Sequence, residues 1–172
     1  MAARARARSM NSHTGLAIAT LVCITCTPND LNAQQPVKDG AYSCTVEFSG
    51  GLAYNRTTKR WQSTTFRPRQ KFILRLKFIE TTQEELETVS SYNITFTLAG
   101  ESVAMPCRSW GRDVAVMFSG FQSVACSGAR ENYIFNFQNN RFLQGFMYGY
   151  VNGKDDNRNM PSMSGGTCTR IE

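Results

Sequence analysis

Apolar residues recur at every second position along much of this chain. Tyr42, Cys44, Val46 and Phe48 alternate with Ser43, Thr45 and Glu47. Over 71–80, Phe72, Leu74, Leu76 and Phe78 take one face, and Ile73, Arg75, Lys77 and Ile79 take the other. Tyr92, Ile94, Phe96 and Leu98 repeat the pattern, as do Tyr133, Phe135 and Phe137. Period two is the signature of a strand with one buried face. The same reading gives shorter strands at 114–118, 124–126 and 167–171, and one opening at Phe142-Leu143 and running through Tyr150.

Turn residues separate these runs. Ser49-Gly50-Gly51 punctuates the first, and Asn55-Arg56-Thr57 sits between two short arms at 52–54 and 59–64. Asn139-Asn140 suits a tight primed hairpin, and Gly145 and Gly149 suggest bending or close backbone contact. At 81–89 the alternation breaks around Glu84, Glu85 and Glu87. Thr81 with Glu84 has capping-box spacing, so this stretch predicts either a helical turn or a charged hairpin tip. About eight or nine short strands with almost no helix predict an all-β antiparallel barrel of about eight strands. Closure is preferred because it removes exposed edges; a β-sandwich is the alternative.

The first 33 residues have a different composition. Arg4, Arg6 and Arg8 precede an uncharged stretch at 14–27 rich in Leu, Ile, Val and Ala. That is the layout of a secretory signal peptide, with cleavage expected after Ala33. The apolar stretch is shorter than the roughly 20 residues that span a bilayer. Val22 and Thr25, rather than small residues, precede Cys23 and Cys26, against a lipid anchor. The expected layout is a signal peptide at 1–33 and a single β-rich domain at 34–172, periplasmic or secreted, without a transmembrane segment and monomeric.

Export changes the chemistry on offer. The full chain carries 19 basic and 13 acidic residues, a net +6. Loss of three arginines and Asp30 leaves the mature domain at +4. The one histidine, His13, leaves as well, which removes Ser-His-Asp and Cys-His catalysis and imidazole metal sites. Cys44, Cys107, Cys126 and Cys168 remain, an even number in an oxidising compartment, so two disulfides are expected. Of three possible connectivities, Cys44–Cys168 and Cys107–Cys126 are favoured. The first joins the first strand to the last, and the second closes a local excursion.

Five features are candidates for function. Arg56, Lys59, Arg60, Arg67, Arg69, Lys71, Arg75 and Lys77 fall together, with no acid between Glu47 and Glu80. Such a segment attracts anions, and Trp61 and Phe66 within it offer stacking surfaces; the alternative is a solvated outer face. Trp61, Arg67, Arg69, Lys71, Arg75 and Lys77 are the binding residues this reading selects. The barrel interior is the second candidate, either a ligand cavity or a filled core. The third, 155–159, begins like a calcium loop. It has Met160 where glycine is needed and Gly166 where the bidentate acid is needed, so it reads as a flexible loop without metal. The fourth is the set Glu47, Glu101 and Asp113, scattered carboxylates for a hydrolase. The fifth is a pair of partner-docking loops at 111–112 and 152–165.

Gly50-Gly51-Leu52-Ala53-Tyr54-Asn55, Thr58-Lys59-Arg60-Trp61, Phe66 and Lys71-Phe72 resemble uncharacterised small exported β-rich proteins of bacteria. Tyr42-Ser43-Cys44 and Gly166-Thr167-Cys168 extend the resemblance over most of the mature chain. It implies export and a β-rich fold, and no particular activity. Gly40-Ala41-Tyr42 is similar to the G-x-W start of lipocalin-like barrels, with Tyr in place of Trp. Ser127-Gly128-Ala129-Arg130 is similar to a segment of periplasmic lysozyme-inhibitor barrels, with the tyrosine displaced to Tyr133. The expectation is a non-enzymatic envelope binding protein without cofactor. Its partner would be an anionic glycan, a lipid head group or an acidic protein surface, and not nucleic acid. An inhibitor docking through its loops and a carboxylate hydrolase are the alternatives.

Overall fold

The computed structural model describes residues 37–68, 70–85, 87–118, 122–128 and 130–172. The expected signal segment and cleavage site, Arg69 and Ala129 lie outside them. Ten strands follow in order: β1 (Gly40–Asn55), β2 (Arg60–Thr65), β3 (Lys71–Glu84), β4 (Glu87–Leu98), β5 (Met105–Cys107), β6 (Ala115–Phe118), β7 (Ser123–Gly128), β8 (Glu131–Asn136), β9 (Arg141–Phe146) and β10 (Ser162–Arg170). All pairings are antiparallel. Eight strands form a closed ring in the order β1-β3-β4-β6-β7-β8-β9-β10, with β10 returning to β1. β2 extends the far half of β1, and β5 flanks β4. Among the described residues the one helical segment is a 3-10 turn, Tyr150–Asn152. No described helix is long and apolar enough to cross a membrane.

The ring is uneven. β1 and β10 share a long ladder, and Cys44 sits directly opposite Cys168, bridged by a disulfide. Among the described residues, β6 and β7 pair through Met117 and Val124. There the second disulfide, Cys107–Cys126, ties β5 to β7. An isolated bridge between Arg108 and Ser127 reinforces it. Both pairings are the ones favoured from the sequence.

The inward residues form one core around Phe72. Its ring lies 5.0 Å from Phe142 and 6.2–6.4 Å from Phe135, Tyr133 and Phe96, centroid to centroid. These tilted and edge-on contacts are the favoured aromatic geometry. At this level the interior is a filled core.

Several local expectations need correction. The glycines at 50–51 do not end β1. The strand continues to Asn55, and Gly51 lets the chain before β10 pass close by, since a Cβ there would lie 2.0 Å from the Pro161 carbonyl. Phe48 does not face the core. A bulge between Val46 and Phe48 shifts the phase by one residue, leaving Phe48 54% exposed and turning Ser49 inward. The stretch 81–89 is a hairpin tip between β3 and β4 rather than a helical turn, with Glu85 at positive φ. The β8–β9 connection is a four-residue turn, Phe137 to Asn140. There the Asn136 side chain accepts from the Gln138 and Asn139 amides. β9 stops at Phe146, so Tyr148 and Tyr150 belong to the following loop, and β10 begins five residues earlier than the alternation indicated.

Gly166 faces inward beside the bulge, where a Cβ would lie 1.9 Å from the Thr45 carbonyl. Gly166→Ala therefore has to push β1 from β10. We expect a destabilisation of about 1–3 kcal/mol, read from a urea transition. An unchanged midpoint would show that the two strands are not so closely paired.

Candidate functional site

The inward face changes character toward one end of the ring. Below, Phe135, Phe142, Gly166 and Val46 are cross-strand neighbours on β8, β9, β10 and β1. One step up, the neighbours are Tyr133, Gln144, Ser164 and Ser49. Two residues beyond Tyr133 is Glu131. The alternation is intact, but the side chains have become polar. Glu131, Gln144, Ser164 and Ser49 line an open pocket of about 340 Å³, with Gln70, Ser162 and the rings of Phe66 and Phe146 as further walls. Arg158 and Asn159 reach it from the β9–β10 loop.

A hydrogen-bond network organises the floor. Tyr133 donates its hydroxyl to Glu131 Oε2 at 2.6 Å. Gln144 Nε2 donates to the same oxygen and to Gln70 Oε1, and Ser49 and Ser164 share a hydrogen bond at 2.8 Å. Burial, reinforced by the hydrogen bond and charge of Glu131, pushes the Tyr133 phenol far above its ordinary pKa. Tyr133 therefore stays a donor and fixes the carboxylate. Glu131 Oε1 has no hydrogen-bond partner among the described residues. Gln144 is only 5% exposed, yet its Oε1 is buried without a hydrogen-bond partner. An unpaired buried acceptor costs about 1–3 kcal/mol, so Gln144 is held in this network at some cost to stability.

The residues selected from the sequence are distributed differently. Lys71, Arg75 and Lys77 share the outer face of β3, where Arg75 pairs with Glu172 at 3.3 Å. Arg67 is exposed on the β2–β3 connection, the segment whose Phe66 and Gln70 wall the pocket. Trp61 sits on β2 opposite Tyr54, nine residues along β1 from the partner of Lys71, a span of up to about 30 Å. Its indole donates to Asp155 and packs against Tyr54 and Tyr150. The loop at 155–159 is tied down rather than loose: Asn157 pairs with both the amide and the carbonyl of Tyr54. Trp61 and this loop thus hold one another, and the structure does not bring Trp61 to the β3 row.

The three carboxylates considered for hydrolysis lie on β1 (Glu47), after the turn that ends β4 (Glu101) and on the β5–β6 loop (Asp113). Glu47 accepts from Thr167 on the outer wall. Among the described residues, no group of three or more His, Cys, Asp or Glu side chains is placed to hold a metal ion.

The alternation had missed Glu131, Gln144, Ser49, Ser162 and Ser164. The signal was phase: Ser162 and Ser164 are in step with Cys168, Gln144 with Phe142, and Glu131 with Tyr133. No protein-family model, curated protein or solved structure matches the chain.

Proposed function

We propose that the chain is a non-enzymatic exported binding protein whose ligand seat is the polar mouth of the ring. The observation that carries this reading is the Glu131 carboxylate, held by Tyr133 and Gln144 at the floor of an open pocket lined by polar side chains. A fixed carboxylate asks for hydroxyl or N–H donors. Phe66 and Phe146 offer apolar faces to a ring, and the paired serines offer further hydroxyl contacts. Arg158 at the wall and Arg67 on the connecting segment supply positive charge for an anionic substituent. This combination fits an acidic sugar unit, the terminus of an anionic envelope glycan. Binding rather than cleavage is favoured because Glu131 is the one carboxylate among the described residues that line the pocket, whereas glycoside hydrolysis commonly takes two.

The test is calorimetric titration with a glucuronate-containing disaccharide and its neutral counterpart. The acidic sugar is expected to bind more tightly. Glu131→Gln should weaken it about 10- to 100-fold, the worth of one hydrogen bond to a charged group. Arg158→Gln should remove the preference for the acidic sugar. Equal affinities of wild type and Glu131→Gln would overturn the assignment.

A further inference from the structure

A second surface lies elsewhere on the ring and shares no residue with the polar mouth. Trp110, in the β5–β6 loop, is 97% exposed. A side chain of that size is seldom left in water, and tryptophan is among the residues enriched at the energetic centres of interfaces. The position is fixed. Ser109 is buried, donates its hydroxyl to the Ala125 carbonyl at 2.6 Å and accepts from the Val116 amide at 3.0 Å. The Ser109 amide donates to the Val114 carbonyl, and Gly111 takes the left-handed conformation the turn needs. Arg112 reaches across to the β3–β4 tip and makes two 2.7 Å hydrogen bonds to Glu84. Those bonds hold the Glu84 carboxyl below its ordinary pKa. The Cys107–Cys126 bridge anchors the base of the loop.

Trp110 stands over a groove of about 550 Å³ whose floor includes Val116, Phe118 and Ala125. Phe118 is shared with an adjoining groove of about 590 Å³, rimmed by Glu84, Glu85 and Glu87. Arg112 pairs with Glu84, so Glu85 and Glu87 supply the net negative charge. The result is an apolar centre with an acidic rim on a chain whose net charge is +6.

We propose that the Trp110 face is a docking site for a cationic segment of a partner protein. A lysine or arginine of the partner faces Glu85 and Glu87, and a neighbouring apolar side chain enters the groove beside Trp110 and Phe118. An arginine can also stack on the indole itself. The rigid loop means that little order has to be gained on binding. A second copy of this chain, presenting its Lys71–Lys77 face, is the competing occupant.

The two tryptophans give two indole N–H signals in a nitrogen-15 spectrum, so Trp110 and Trp61 report separately. The probe is an eight-residue peptide alternating Arg and Leu, compared with one alternating Glu and Leu. The cationic peptide should shift the Trp110 signal and leave that of Trp61 in place. Trp110→Ala, and separately Glu85→Lys with Glu87→Lys, should each weaken binding at least about 10-fold with no change in melting temperature, because all three side chains are exposed. The effect of the Glu pair should shrink as salt rises. Equal shifts from both peptides, or a shift confined to Trp61, would overturn the proposal. So would a concentration-dependent dimer, seen by sedimentation, that buries Trp110 without peptide.

Discussion

Replacing Cys44 and Cys168 together with alanine should cost about 4–5 kcal/mol, the largest single loss of stability we expect in this protein. The bridge spans 124 residues, and the loop-closure entropy it removes from the unfolded chain grows with the logarithm of that span. The Cys107–Cys126 bridge spans 19 residues and should contribute about 3 kcal/mol on the same basis. The order of the two effects is therefore fixed by chain length alone. The long bridge also sits at the β1–β10 seam, where the ring closes on itself. Since a domain of this size has only about 5–15 kcal/mol in total, the variant should melt roughly 10–20 °C lower. Calorimetry of the two double variants checks this. A smaller loss for the Cys44/Cys168 pair than for the Cys107/Cys126 pair would show that the ends of the chain are held together in the unfolded state by other means.

Phe72→Ala should cost about 3–5 kcal/mol. Phe72 is almost fully buried, and four other aromatic rings surround it. Truncation leaves a void bordered by side chains from β4, β8 and β9, strands too rigidly paired to collapse into it. A lower urea midpoint at constant slope is the expected signature. Phe72→Leu, which keeps most of the volume, should cost markedly less. Near-equal losses would mean that ring geometry rather than volume holds the core. A loss below about 1 kcal/mol for the alanine variant would place the core elsewhere.

The sequence made the β architecture readable because the inward face is apolar over most of each strand. Cys44, Phe72, Ile94, Phe135 and Cys168 all fall in phase with buried neighbours, and closure of the ring explains why the first and last strands share a bridge. Alternation failed where the backbone departs from a regular strand or the inward face turns polar. The bulge at Glu47 reversed the sense of Phe48 and Ser49, and no residue type announces such an insertion. Ser162, Ser164 and Gln144 are inward but polar, so a pattern built on hydrophobicity passed over them. Trp110 lies in a stretch with no period at all, where nothing in the local pattern separates an exposed tryptophan from a buried one. Conversely, the run of basic residues was visible at once. Its described members divide among the β1–β2 turn, β2, the β2–β3 connection and the outer face of β3, because a chain that turns twice in 22 residues cannot keep them on one surface.

The assignment of the ligand seat is tested most directly by chemical-shift mapping of the labelled protein during addition of the glucuronate disaccharide. The polar mouth predicts the largest changes at Ser49, Glu131, Gln144 and Ser164, including the Gln144 side-chain amide, with the outer face of β3 unmoved. Changes concentrated instead at Ser43, Arg75, Thr95 and Thr97, the outward neighbours on β1, β3 and β4, would place the seat on the basic wall and contradict the account.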